Sequence, residues 1–297
     1  MKKTTGEKIF DVFNYAFIIL LSVVMLYPYL NQLVISLNDG MDTILGGVTI
    51  WPRKFTWTNY EALFGSSEIL RAFVLTVIVT VLHTLLALLV TTSAAYAVTK
   101  KDLPFRNTIT TMFIIPMYIG GGIIPTFILY RYMGLLNNPM VYIVPSCFSF
   151  YNMIVTRTYI QGLPDSLSEA ALIDGANEIT VLFKIILPLS LPVIATVALW
   201  TMVGTWNGWT NTLYFVNERK YYTLQYVVMQ IIKQNDIVAK LAAEQALTGG
   251  EINQEAQTTT ESIKAAAVIF STIPIVMTYP FLQKYFVKGV AIGAVKE

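Results

Sequence analysis

The chain is short of charge, cysteine and histidine. Lys, Arg, Asp and Glu together supply 13% of its 297 residues, where soluble domains carry about 25%. Apolar residues supply 55%, and the mean hydropathy is +0.59. That balance excludes an ordinary soluble domain and points to a membrane protein. With Cys147 the single cysteine, an intrachain disulfide is impossible and a cysteine metal cluster is not suggested; set in an apolar run, Cys147 is expected to act as a small buried hydrophobe. His83 is also alone in an apolar run and is expected to be a hydrogen-bonded packing residue rather than a ligand. The net charge of +2 comes from scattered basic residues with no stripe to track phosphates, so no nucleic acid partner is expected. The chain also lacks a Gly-x4-Gly-Lys-Ser/Thr loop to cradle phosphates. With neither a nucleophile–base set nor paired carboxylates in the apolar runs, no catalytic residue, metal or bound cofactor is expected.

What the chain does have is six long runs free of Asp, Glu, Lys and Arg: 12–38, 72–99, 107–130, 132–156, 185–217 and 265–283. A helix needs about 20 residues to cross a hydrocarbon layer of about 30 Å. Backbone groups in lipid must bond within their own segment, which favours helices. The expected fold is therefore an all-α membrane protein with six transmembrane helices, near 12–38, 72–99, 107–130, 132–156, 185–210 and 265–283. The first run follows Lys2, Lys3 and Lys8 but is too long for a signal-peptide core and lacks an Ala-x-Ala end, so an uncleaved span is expected. Eleven of the 20 basic residues fall on one side if the N-terminus is inside, among them Lys100, Lys101, Arg106, Arg157 and Lys184, and short basic connections are cytoplasmic. Both termini and the connection 164–184 are thereby expected in the cytoplasm, with 39–71 and 218–264 as outer loops. Trp51, Trp57 and Tyr60 suit the first outer loop to the membrane interface; the second is either a mobile surface loop or a reaching arm.

The most patterned stretch is 164–192. Ser166-Leu-Ser-Glu169 has the spacing of a capping box, and Leu167, Ala170 and Ala171 form a narrow apolar face. Gly175 suits a position just past a helix end. Asn177 can cap a second helix that runs to Pro188. The whole reads as helix, Gly turn, helix, with a first face too small for its own core and so suited to a partner protein. Glu169-Ala170-Ala171, Gly175 four residues on, and Ile185-x-Leu187-Pro188 resemble the EAA loop of ATP-binding-cassette importer permeases, with Asp174, Ala176 and Phe183 as in the sugar-uptake branch. The resemblance covers nearly the whole chain, which would be a single permease domain over 1–297. It implies that Glu169, Ala170, Ala171, Asp174, Gly175, Ala176, Leu187 and Pro188 couple to ATPase subunits, between spans four and five. It further implies a second homologous permease, two ATPases that hold ATP and Mg, and an extracellular or periplasmic sugar-binding protein, at the bacterial cytoplasmic membrane.

The third run carries Pro116, Gly120-Gly121-Gly122 and Pro125, so it is expected to be kinked or unwound. Gly121-Gly-Ile-Ile-Pro125 with Gly134-Leu135 resembles the polysaccharide and complex-oligosaccharide branch, and 287–295 resembles the family's C-terminal tail. Broken backbone at membrane depth is tolerated where it lines a cavity, which makes Tyr118, Gly121 and Gly122 candidates for the pathway wall. Tyr151 and Asn152 in the fourth run, and Trp206, Asn207 and Asn211 in the fifth, are further candidates, since aromatic rings pack on sugar rings and amides meet hydroxyls. The span-end aromatics are also explained as interface anchors. The alternatives are an importer permease for a non-sugar solute and, in a different class, a secondary transporter or channel. The latter would call for intramembrane ionisable groups or inverted repeats, and neither is evident.

Overall fold

The structure, a computed structural model, describes residues 4–234, 237 and 261–280. Among these residues all regular structure is helical, apart from an isolated bridge between Asn38 and Phe55. Backbone contacts divide the chain into two units, 1–69 with 228–273 and 70–227 with 274–297. Most of the expected outer loop 218–264 and the tail 281–297 lie outside the described residues.

In the first unit, α1 (Thr5–Ser36) begins with a reciprocal cap. The Glu7 amide donates to Thr4 Oγ1 at 3.3 Å, and the Thr4 amide donates to Glu7 Oε2 at 2.7 Å. This cap extends the helix back to Thr5, ahead of the charge-free run at residue 12. Its apolar side chains from Ile9 to Leu30 are almost all exposed, far more apolar surface than a water-soluble monomer presents. Beyond α1 the chain folds into a polar clasp around α2 (Gly40–Ile44) and α3 (Thr58–Gly65). Asn38 is fully buried at its centre. Its amide donates to Asp42 at 3.0 Å and Thr43 at 2.9 Å, and its carbonyl oxygen accepts from the Lys54 amide at 2.9 Å. Arg53 Nε donates to Asp42 at 2.9 Å. The hydrogen bond from Asn38, working against burial and joined by Arg53, holds the Asp42 carboxyl below its usual range. The clasp turns Leu45, Ile50, Trp51 and Phe55 outward, Trp51 being 81% exposed. Segment 39–71 is thus a folded knot with an apolar rim.

In the second unit α4 (Ser67–Thr99) is a continuous helix of span length. The run 107–130 is broken as expected. Helices α5 (Arg106–Tyr118) and α6 (Ile123–Tyr132) are bent by 118°, with Gly122 at φ +77° completing the turn. The run 132–156 departs from expectation, because it does not form one helix. Asn138 caps a short 3-10 turn over Pro139–Tyr142, irregular backbone follows, and α7 (Phe150–Ile160) starts at the Ser149 cap. Pro139, Pro145 and polar Ser146 and Ser149 break a run that charge alone had marked as continuous. Helices α8 (Asp165–Ile173) and α9 (Glu178–Leu189) make the hairpin, and α9 meets α10 (Leu191–Trp206) at 83° across Ser190. A short α11 (Thr210–Phe215) follows; farther along the chain come a helix over 224–234 and the helix Glu261–Pro280, each divided between the two units. Three described helices (α1, α4 and Glu261–Pro280) are long and apolar enough to cross a membrane, or up to five spans if each bent pair counts as one. Cys147 is half-buried rather than buried, because it sits in the irregular stretch before α7.

Replacing Asn38 by Ala strands the partners of a fully buried amide, a loss of about 2 kcal/mol. The thermal midpoint of the detergent-solubilised protein is expected to fall by several degrees, and an unchanged midpoint would show that the clasp carries no stability.

Candidate functional site

The hairpin is built by local rules. Helix α8 starts two residues earlier than the capping-box spacing predicted. Pro164 is its N-cap without a side-chain bond, and Ser166 lies inside the first turn. Pro at the boundary presets the backbone for helix entry, so the box between Ser166 and Glu169 does not form. The C-terminal signal acts as expected. Gly175 takes φ +84°, its amide donates to Leu172 at 3.1 Å, and the Ala176 amide donates to Ala171 at 2.9 Å. This pair of bonds is the Schellman arrangement, which satisfies helix-end carbonyls through a left-handed residue. Asn177 then accepts from the Thr180 amide at 2.8 Å to start α9. A π turn at Leu182–Ile186 widens the helix, so that the Leu187 amide bonds Leu182 and Pro188 is carried to the last turn.

One face of the hairpin packs and the other is bare. Ala171 and Ala176 pack against a cluster that includes Phe150, Met153, Ile160 and Val181. Glu169, Ala170, Asp174 and Gly175 are exposed, as is Pro188, while Leu187 is half-buried. Leu167 is exposed on the same side as Ala170; Ile173 is 85% and Ile179 68% exposed. The packed face is held by a polar clasp: Lys100 Nζ lies 2.8 Å from Glu178 Oε2, and the Tyr96 hydroxyl donates to the same oxygen. Burial alone would lower the Lys100 pKa, but the hydrogen bond to Glu178 offsets this and raises it. The ammonium is favoured in the folded state, and the hydrogen bond from Lys100, joined by that from Tyr96, holds the Glu178 carboxyl below its usual range. The clasp therefore holds at neutral pH and is lost both above the usual lysine range and in acid, as Glu178 is protonated. Beside it, a cleft of about 440 Å³ is lined by Tyr96, Lys100, Arg106, Gln161, Ser168 and Glu169.

The pathway candidates do not converge on one place. Asn152 and Asn211 share a polar cavity of about 430 Å³ with His83, Trp200, Thr201 and Thr210. Tyr151 stacks at a tilt on Trp200 at 5.8 Å. Trp206 is buried, meets Phe73 edge-on at 6.0 Å and lines a separate apolar hollow of about 170 Å³. Asn207 is exposed and its Oδ1 accepts from Gln225 at 3.2 Å. Tyr118, Gly121 and Gly122 are exposed at the α5–α6 break. Sequence reasoning passed over Trp200 and Thr201. Their signal is the repeat Trp200, Thr201, Gly204, Thr205, Gly208, which puts small, polar and aromatic groups on one helical face. His83 is 4% exposed and its Nδ1 lies 3.0 Å from the Ile143 carbonyl, the hydrogen-bonded packing role expected of it.

Helices of this length and polarity, joined by bent pairs and polar hairpins, define a multi-pass helical membrane protein. Residues 85–292 match the family described as binding-protein-dependent transport system inner membrane component, and the chain belongs to that family. Protein LplC of Bacillus subtilis (strain 168) is 34% identical over 296 residues, covering 100% of this chain and 98% of that one. The polygalacturonan/rhamnogalacturonan transport system permease protein YtcP of the same organism is 29% identical, covering 98% and 99%. Among solved structures, a chain of a bacterial ABC transporter involved in the import of the acidic polysaccharide alginate shares the fold, with TM-score 0.84 and 24% identity over 96% of this chain and 99% of that one.

Glu178→Ala removes the acceptor of both Tyr96 and Lys100, so amides 177–181 are expected to exchange with solvent about fivefold faster. Lys100→Ala should act more weakly, since the half-exposed ion pair is screened. Hydrogen exchange followed by mass spectrometry measures both, and wild-type exchange in Glu178→Ala would remove the clasp from the account.

Proposed function

We propose that the chain is the permease subunit of an ATP-driven importer of oligosaccharides and forms half of the translocation pathway. The observation that carries this reading is the bare face of the hairpin. A rigid Schellman turn at Gly175 aims Leu167, Ala170 and Ile173 away from the fold, and apolar groups displayed beside an exposed Glu169 suit a protein cleft. In the family that the sequence resembles, this loop docks on the ATPase. Support for sugar as cargo comes from the names of relatives such as YtcP, a polygalacturonan/rhamnogalacturonan transport system permease protein, and the arabinooligosaccharides transport system permease protein AraQ of Halalkalibacterium halodurans, 26% identical over 95% of this chain.

The chain crosses the bacterial cytoplasmic membrane six times with both ends inside, the α5–α6 and α9–α10 pairs each acting as one bent span. The hairpin between spans four and five faces the cytoplasm. Its partners are a pair of ATPase subunits, which hold ATP and Mg, and a second related permease. An external sugar-binding protein delivers the cargo, as in the alginate transporter solved with a pentasaccharide-bound periplasmic protein. Closure of the ATPase pair moves the hairpin. The hairpin moves α7 and the α4 end through the packing of Ala171, Ala176 and Val181 and the Lys100–Glu178–Tyr96 clasp. Glu169 accepts a hydrogen bond from the ATPase, and Pro188 with the π turn sets the direction of span five.

Gly175→Asp forces a side chain into φ +84°, at a cost of about 1 kcal/mol, and re-aims the exposed face. Both Gly175→Asp and Glu169→Lys are expected to reduce oligosaccharide uptake in cells to background while immunoblots show normal membrane insertion. Wild-type uptake by either variant would refute the coupling role.

A further inference from the structure

Resting on the sugar-import reading, we propose that the cavity around His83 is a binding site for an uncharged sugar ring, with His83 Nε2 as its hydroxyl acceptor and a determinant of specificity. His83 is buried on α4, and its Nδ1 lies 3.0 Å from the Ile143 carbonyl. A carbonyl only accepts, so Nδ1 carries a proton, and in the uncharged imidazole that tautomer leaves the lone pair on Nε2. Nε2 has no partner among the described residues while the ring lines the cavity. The fixed tautomer makes His83 an acceptor that recognises an O–H and offers no donor to a carboxylate.

The rest of the wall matches that chemistry. The side-chain amides of Asn152 and Asn211 and the hydroxyls of Thr201 and Thr210 have no hydrogen-bond partner among the described residues, yet all line the same space. Paired amide groups can donate and accept at neighbouring hydroxyls. Trp200 adds a ring suited to the apolar face of a pyranose. The volume of about 430 Å³ lies in the usual range of ligand pockets, about 300–1,000 Å³. No Lys, Arg, Asp or Glu is among the lining residues. A uronate would bring a carboxylate into a site with no cation to balance it, which is unfavourable. The site therefore selects neutral rings, although the relative YtcP and the alginate transporter carry acidic polymers by name.

The test uses the assembled transporter in nanodiscs without its sugar-binding protein. Equilibrium dialysis compares neutral gluco-, galacto- and xylo-tetrasaccharides with a galacturonate tetrasaccharide. At least one neutral sugar is expected to bind, and the galacturonate at least about tenfold more weakly, a factor of ten being one lost hydrogen bond. In His83→Asn the shorter amide keeps a donor for Ile143 but removes the Nε2 acceptor, so neutral-sugar affinity should fall about tenfold. Asn211→Leu, on a different helix, should weaken binding similarly and serves if His83→Asn does not assemble. Equal affinity for galacturonate, or wild-type affinity in an assembled variant, overturns the proposal. Failure of every sugar to bind, in a complex that still drives uptake in cells, overturns this site and leaves the import function standing.

Discussion

A backbone amide that enters hydrocarbon must find its partner within the protein, and this constraint organises the structure. Where the sequence permits, the amides pair inside long helices, as in α1 and α4. Where it does not, the chain breaks at defined points: the glycines between α5 and α6, the irregular stretch before α7, and Ser190 between α9 and α10. Each break needs a local answer. At Ile143 the answer is His83, which donates to a carbonyl that no helix satisfies. The same side chain is then left with one unused nitrogen on a cavity wall. Packing and recognition in this chain therefore share a residue.

The hairpin obeys the same logic on a smaller scale. Its end carbonyls are closed by Gly175 and its next helix is opened by Asn177, so its shape is set locally and does not depend on a large core. It is tied to its surroundings mainly on the α9 side, where Val181, Leu182 and Ile186 are buried in the cluster, while α8 adds Ala171, the turn adds Ala176 and α4 adds the polar clasp. The α8 face that carries Leu167, Ala170 and Ile173 stays outside this packing.

Much of this was legible in the residues. Gly175 and Asn177 were readable because turn and cap chemistry is local. The break in 107–130 was readable from Pro116 and three consecutive glycines. The capping box at Ser166 failed because Pro164 sets an earlier helix start, and two start signals two residues apart compete. The run 132–156 failed as a single helix because absence of charge marks apolarity, not continuity, and Asn138, Pro139 and Pro145 override it. The cavity was only half legible. Asn152 and Asn211 could be named from their types, but their meeting with His83 and Thr201 depends on the packing of distant helices. Trp206 and Asn207 are sequence neighbours that the helix separates: Trp206 turns to Phe73 and Asn207 to Gln225.

On the proposed reading, the bare hairpin face is where force enters the membrane domain. The most direct measurement places a single photoreactive probe at Ile173→Cys, in a Cys147→Ser background, within the intact assembly in native membranes. The account expects crosslinking to an ATPase subunit, in a yield that changes when ATP is added. A probe that reaches only lipid, or that is quenched by reagents confined to the cell exterior, would contradict it.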